Sequence, residues 1–331
     1  MRRRSFASTL RRVAVTLGAG ALAAGVVAAP ASGAVATAPS DEATVHHAAR
    51  TAVERSRVQA YWTTERMRSA VPVEQLIRAR GILPTAKSKL KDVARGEPTV
   101  ITPKAFPEPG GPWSGGGEVV RTAGRVFFSM GGRDASCSGN AVVSANKSVV
   151  ITAGHCVKYQ GAWHSNWVFV PGYDNGERPY GTWTARSTHS TPQWVASEDI
   201  NYDVGAAVVN RLDGRLLTDV VGAQGIAFNQ ERNQDMYSFG YPAADPYDGS
   251  RLVYCSGTTF TDFLLSTDHG MACDMTGGSS GGPWFLEFSE GDGTGAQASV
   301  NSFGYTFLPG YMFGPYFGAE AQNLYEQAQA E

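Results

Sequence analysis

Ser280 stands in the run Gly277-Gly278-Ser279-Ser280-Gly281-Gly282-Pro283. A serine hydroxyl is a weak nucleophile until a base removes its proton and donors meet the negative oxygen that forms on attack. Glycines on both sides allow a tight turn that exposes the hydroxyl, and they let the N–H groups of Gly278 and Ser280 approach a carbonyl closely. Taken alone, such a run is as readily a flexible loop. A base is at hand in Thr152-Ala153-Gly154-His155-Cys156, which follows the apolar Ser148-Val149-Val150-Ile151. A histidine at a strand end with a cysteine beside it can be held in place, as a general base must be. Asp203 opens Tyr202-Asp203-Val204-Gly205-Ala206-Ala207-Val208-Val209. A carboxylate carried toward an apolar core wants a partner, and the second ring nitrogen of His155 would satisfy it while fixing the tautomer. Asp199 is the nearby competitor, but no apolar run follows it. His46, His47, His164, His189 and His269 lack any comparable frame and are assigned no role.

These residues need rigid supports, and the texture of the chain from Glu118 onward supplies short strands. Apolar or alternating runs recur at Arg125–Met130, 140–144, 148–153, 167–171, 204–209, 236–241, 251–255, 283–288 and 299–307, punctuated by Gly, Asn and Asp. That pattern predicts an all-β sandwich or barrel. A single helix is expected in this part, over 320–330, where Ala321, Leu324 and Ala328 share a face.

The N-terminal third reads differently. Residues 1–36 combine five arginines, an apolar stretch over 13–29 and Ala34-Val35-Ala36, the plan of an export signal cut after Ala36. Arg3-Arg4-Ser5-Phe6 also resembles a twin-arginine export motif. Residues 37–117 read as a propeptide. Helical stretches are expected over 48–68 and 73–80, a polar broken segment over 87–104, and a flexible Pro/Gly linker over 107–117. Residues 37–117 carry 12 Lys and Arg against 8 Asp and Glu, whereas 118–331 carry 11 against 22. A basic prosegment can therefore dock on an acidic domain, and that acidity disfavours nucleic acid as a partner. Export leads to an oxidising compartment, where Cys137, Cys156, Cys255 and Cys273 read as disulfides. Four cysteines allow three pairings. Sequential pairing, Cys137–Cys156 and Cys255–Cys273, would close two short loops. No Cys-x-x-Cys pair occurs, so neither a metal site nor a cofactor is expected.

From about Arg125 to Leu324 the chain resembles the trypsin/chymotrypsin-like serine proteases, on Thr152–Cys156, Asp203–Gly205, 278–283 and Ser302-Phe303-Gly304. The resemblance implies two perpendicular six-stranded β-barrels with a cleft between them, barrel one about 118–212 and barrel two about 213–331. It implies His155, Asp203 and Ser280 as the catalytic triad, Gly278 and Ser280 as the oxyanion donors, and a Cys137–Cys156 bridge beside the histidine. Ser302, Phe303 and Gly304 correspond to the family's substrate-binding strand. Implied partners are protein or peptide substrates and the chain's own propeptide, with secretion, a monomeric state and no membrane association after signal cleavage.

Gly240-Tyr241-Pro242 and Asp274-Met275-Thr276-Gly277-Gly278 are similar to the secreted bacterial branch typified by glutamyl endopeptidases. Two departures stand out. Ser279 replaces the aspartate that most members carry before the nucleophile, so a new N-terminal ammonium has no carboxylate to pair with there. The glutamyl enzymes resemble one another in carrying a histidine in the strand where this sequence has Asn301-Ser302-Phe303. Asp274, six residues before Ser280, has the spacing of the carboxylate that selects Lys or Arg in trypsins, or else it is a structural residue beside Cys273. The rivals to an active peptidase are an inactive protease-fold binding module and an esterase, the latter disfavoured by the chain order His, Asp, Ser.

Overall fold

The computed structural model describes residues 42–78 and 107–331. The signal reading of residues 1–36, with its cleavage and twin-arginine motifs, falls outside the described residues, as does the polar segment 87–104.

Six strands close a barrel. Ala123–Met130 pairs with Arg133–Ala141, which leads through Val149–Thr152 and Gly205–Val209 to Trp183–Ser190. Ser165–Pro171 pairs with both Trp183–Ser190 and Ala123–Met130, and so completes the ring. Its interior is β-branched and aromatic, with Val126, Phe128, Val150, Ile151, Phe169 and Trp183 each no more than 1% exposed. The second half holds a sheet in the order Gly225–Ile226, Thr294–Val300, Pro283–Ser289, Asp235–Gly240, Val253–Thr258 and Glu108–Pro112. A three-stranded sheet of Phe260–Thr261, His269–Ala272 and Tyr311–Gly314 packs beside it, sharing a core of Met236, Met271, Trp284 and Met312. The all-β expectation stands, and so does the C-terminal helix, Ala319–Ala330, which buries Ala321, Leu324 and Ala328 on the first barrel. Both disulfides pair sequentially, Cys137–Cys156 and Cys255–Cys273.

The structure differs from the sequence expectation in several places. Short helices Val119–Thr122, Pro192–Ser197 and Leu217–Val221 accompany the C-terminal helix, which was the single one expected in this part. Glu108–Pro112, read as linker from its Pro and Gly content, is an edge strand antiparallel to Val253–Thr258. Proline is tolerated at a sheet edge, where its missing N–H costs nothing, and Trp113 anchors the segment among Phe239, Tyr254 and Phe288. The run expected as a strand over 299–307 is continuous only as far as Val300; beyond it Phe303 alone bridges Phe313, and residues 302–306 form a wall of the cleft.

Residues 42–78 add helices Ala52–Tyr61, Thr64–Ser69 and Val73–Arg78 to the expected region. Thr51 begins the first with a reciprocal capping box to Glu54. These residues have too few apolar side chains for a core of their own, and instead complete the cores of the barrels. Trp62, Met67, Val73 and Leu76 are at most 3% exposed. Thr44–His47 extends the first barrel's sheet antiparallel to Trp183–Ser190, and Val71–Pro72 runs parallel to Ala135–Ser136. Arg66 pairs with Asp134 at 2.8 Å, a contact of the sign that the charge balance anticipates.

Candidate active site

Two neighbouring strands of the first barrel bring His155 and Asp203 together. Thr152 ends its strand opposite Gly205, the first residue of the next. His155 sits in the 3-10 turn Gly154–Cys156 just beyond Thr152, and Asp203 follows the 3-10 turn Ile200–Tyr202 just before Gly205. The antiparallel register therefore places both side chains at one end of the barrel. Gly154 is required by this approach: a Cβ there would stand 2.9 Å from Asp203 Oδ1 and 2.8 Å from the Trp194 ring.

The Nδ1–H of His155 donates to Asp203 Oδ2 at 2.7 Å, and the His155 main-chain N–H donates to Oδ1 at 2.8 Å. The hydroxyl of Ser302 donates to the same Oδ2 at 2.6 Å. Asp203 is thus fully occupied at 1% exposure. Asp199, the competitor, accepts from the main chain and side chain of Asn201 and caps the turn instead. Cys156 ties the histidine turn to Cys137 on the adjacent strand. Both sulfurs are spent in that disulfide, so the cluster Cys137, His155 and Cys156 offers no thiolate to a metal.

Ser280 comes from the loop before Pro283–Ser289, in the second half. Three hydrogen bonds hold that loop, two between main chains and one from a side chain: Ser138 N–H to Ser280 O at 2.7 Å, Gly281 N–H to Asn301 O at 2.7 Å, and Ser138 Oγ–H to Gly278 O at 2.9 Å. Gly278 adopts φ +97°, a conformation that costs other residues dearly, and this turns its N–H toward the cleft. Ser279, in the place of the family's aspartate, is buried and donates to Thr276 O at 2.8 Å, so its position demands no cationic partner.

Three residues here escaped the sequence reading. His164 donates through Nε2 to the carbonyl of His155 at 2.9 Å and stacks on Phe128, and burial pushes it down to about 4. It is a neutral residue that holds the His155 turn, and nothing in its local sequence marks it. Asn301 is fully buried, accepting from Ser238 Oγ and Trp284 Nε1 and donating to the carbonyls of Phe239 and Ser279. It braces the Ser280 loop from behind through the carbonyl of Ser279.

The third is Glu74, from the helix Val73–Arg78. Its Oε2 accepts from the N–H of Gly278 at 2.9 Å, and its Oε1 accepts from the hydroxyl of Ser280. Oε1 lies 3.8 Å from His155 Nε2, which has no hydrogen-bond partner among the described residues. Burial pushes the imidazole down, but Asp203 and Glu74 outweigh it and hold His155 up at about 10. Burial also pushes the Glu74 carboxyl up, but His155 and Ser280 outweigh it and hold it below the ordinary carboxylate value. His155 is therefore protonated at neutral pH in this form. In the full chain carrying Glu74→Gln, where one of the two carboxylates is gone, the His155 imidazole should titrate at lower pH. NMR of histidine-labelled protein checks this, and an unmoved titration would mean that the Glu74 charge does not reach His155.

The cleft beside Ser280 holds about 470 Å³ and is lined by Met275, Ser302, Phe303, Gly304, Tyr305 and Met312, among others. Its charged lining groups are Glu74, Asp245 and Asp274. Asp274 is exposed, accepts from Tyr247 Oη–H at 2.8 Å, and lies against Gly110 of the edge strand.

No family model matches the chain. An extracellular metalloprotease of Bacillus subtilis (strain 168) is 39% identical over 79 residues, a match that spans 24% of each chain. Among solved structures, the chain is similar to the protease Anisep from Arthrobacter nicotinovorans, at 46% identity over 65% of this chain and 98% of that one, with a TM-score of 0.61. It is equally similar to the thermostable serine protease AL20 from an extremophilic microorganism, at 45% identity over 64% and 99%, with a TM-score of 0.61. A Glu endopeptidase shares the fold at 16% identity over 70% and 100%, with a TM-score of 0.54. With nearly the whole of two serine proteases matched at such identity, on a barrel that joins His155 to Asp203 beside Ser280, the chain belongs to the chymotrypsin-like bacterial serine proteases.

Proposed function

We propose that this chain is a secreted serine endopeptidase made as a precursor, with residues 1–36 as its signal, 37–117 as its propeptide and 118–331 as its catalytic domain. The observation that carries the reading is the 2.7 Å bond from His155 Nδ1 to a buried Asp203, with the glycine-framed Ser280 facing the same cleft. His155 Nε2 takes the proton of Ser280 as Oγ attacks the scissile carbonyl. The N–H groups of Gly278 and Ser280 meet the oxyanion. His155 then returns the proton to the leaving amine, leaving an acyl-enzyme, and a water activated by the same imidazole releases the acid. The acidic lining of the cleft, Asp245 and Asp274, supports cationic side chains over acidic ones as substrates, because a buried acidic substrate group would meet like charge.

A fluorophosphonate probe tests this reading. In the processed enzyme it should label Ser280 covalently, and labelling should abolish peptide hydrolysis, with chelators without effect on turnover. Peptidase activity that survives complete labelling, or that a chelator removes and zinc restores, would sink the proposal. An inactive binding module would leave Ser280 unlabelled.

A further inference from the structure

We propose that Glu74 is an inhibitor of this site carried in cis, its carboxylate standing where the scissile carbonyl of a substrate stands; the inference rests on reading Ser280, His155 and Asp203 as the peptidase machinery. A carboxylate has a trigonal carbon with two oxygens. Here one oxygen accepts from Gly278 N–H, the donor assigned to the oxyanion, and the other accepts from Ser280 Oγ–H. The proton that His155 should remove is thereby directed at Glu74, and His155 Nε2 is left without a hydrogen-bond partner among the described residues. Nucleophile and base are present but not connected.

Nothing in this arrangement can be cleaved. A side chain, not a main-chain amide, occupies the hydroxyl, and a carboxylate anion is a poor target for a nucleophile and carries no leaving amine. The bonds that hold it are charge-assisted, with Glu74 ionised and His155 protonated, and such bonds are about twice as strong as neutral ones.

The rest of residues 42–78 sets the carboxylate in place. The pairing of Val71–Pro72 with Ala135–Ser136 positions the chain just before Glu74, and Val73, Leu76 and Ile77 anchor its helix in the core of the first barrel. Further out, Trp62 is buried and donates to Asn166 O at 2.6 Å, and Asn210 Nδ2 donates to Ala49 O at 2.8 Å. The segment behaves as a docked inhibitor whose warhead is a single carboxylate, and its departure frees Gly278 N–H and returns the Ser280 proton to His155.

The test uses the secreted precursor without its signal, called the full chain below, and follows fluorophosphonate labelling of Ser280 on the band of that mass, beside processed enzyme shown by mass spectrometry to be free of residues 42–78. The wild-type full chain should label at least a hundredfold more slowly than processed enzyme. Glu74→Gln and Glu74→Ala should each raise full-chain labelling tenfold or more, while the processed enzymes from all three chains label alike. Variants that label as slowly as wild type beside a reactive processed enzyme would overturn the proposal, because bulk alone would then block the cleft. A wild-type full chain as reactive as processed enzyme would overturn it too, whether or not the variants fold. Absence of labelling in every form, processed enzyme included, would instead remove the peptidase reading on which the proposal rests.

Discussion

Ser280→Ala should reduce peptide hydrolysis by roughly 10⁶-fold, the scale on which removing one member of a triad disables the whole unit. The donors at Gly278 and the cleft walls remain in the variant, so a residue of catalysis over water of about 10³–10⁴ persists. The fold should be untouched. The staples of the nucleophile loop run through the main chain of Ser280 and Gly281 and through Ser138, none of which involves the lost hydroxyl. Ser279→Ala is the matched control. Its hydroxyl donates to the carbonyl of Thr276 and bonds none of Ser280, His155 and Asp203, so most activity should survive. Rates with a chromogenic peptide, read beside thermal unfolding of each variant, check both. A tenth of wild-type activity in Ser280→Ala, or an inactive Ser279→Ala beside an active Ser280→Ala, would displace the assignment.

The three residues proposed as the triad could be singled out because each carries a local signature that survives without tertiary information. Ser280 needs glycine on both sides to turn, His155 ends an apolar strand beside a cysteine, and Asp203 begins another. The strand Trp183–Ser190 was not legible. Its TARSTHS sequence is polar at nearly every position, yet Ser187, Thr188, His189 and Ser190 are at most 1% exposed. Their burial comes from Thr44–His47 on one edge, Gly205–Val209 on the other and Glu331 across the face, none of which a window of eight residues contains. Ser190 donates to Val204 O and Ser187 to Glu331, so a polar sequence is largely accommodated in the interior, Thr188 Oγ1 alone of these hydroxyls having no hydrogen-bond partner among the described residues.

Glu74 was illegible for a related reason. It is an ordinary acidic residue in the first turn of a six-residue helix, where a carboxylate needs no special explanation. Its meaning comes from partners 204 and 206 residues away, Gly278 and Ser280, and from the extra strand that Val71–Pro72 contributes. The basic balance of the segment anticipated docking on an acidic domain, but the contact at the nucleophile is anionic. Charge totals describe attraction between surfaces, whereas inhibition here depends on which single oxygen faces which single proton.

Asp203→Asn should lower kcat at neutral pH by about 10⁴-fold, equivalent to about 5.5 kcal/mol of barrier, with little change in KM. The argument turns on tautomer. Asp203 Oδ1 accepts from the His155 main-chain N–H and Oδ2 accepts from Nδ1–H. An asparagine must keep its carbonyl oxygen toward the main-chain N–H, since an amide there would set donor against donor. Its NH₂ then faces Nδ1, which must become the acceptor, and the imidazole proton moves to Nε2. A base protonated at Nε2 cannot receive the proton of Ser280. The lost carboxylate charge also lets the imidazole titrate lower, but a neutral ring of the wrong tautomer gains nothing from that. Two comparisons isolate the effect. Asp199→Asn should leave kcat within a few-fold of wild type, because Asp199 only caps the turn before Tyr202. Ser302→Ala removes one donor to Asp203 while leaving both bonds to His155, so its loss should be far smaller than that of Asp203→Asn. Steady-state rates on the processed enzymes decide it. An Asp203→Asn enzyme with a tenth of wild-type kcat, or an Asp199→Asn enzyme as damaged as it, would move the role of orienting His155 away from Asp203.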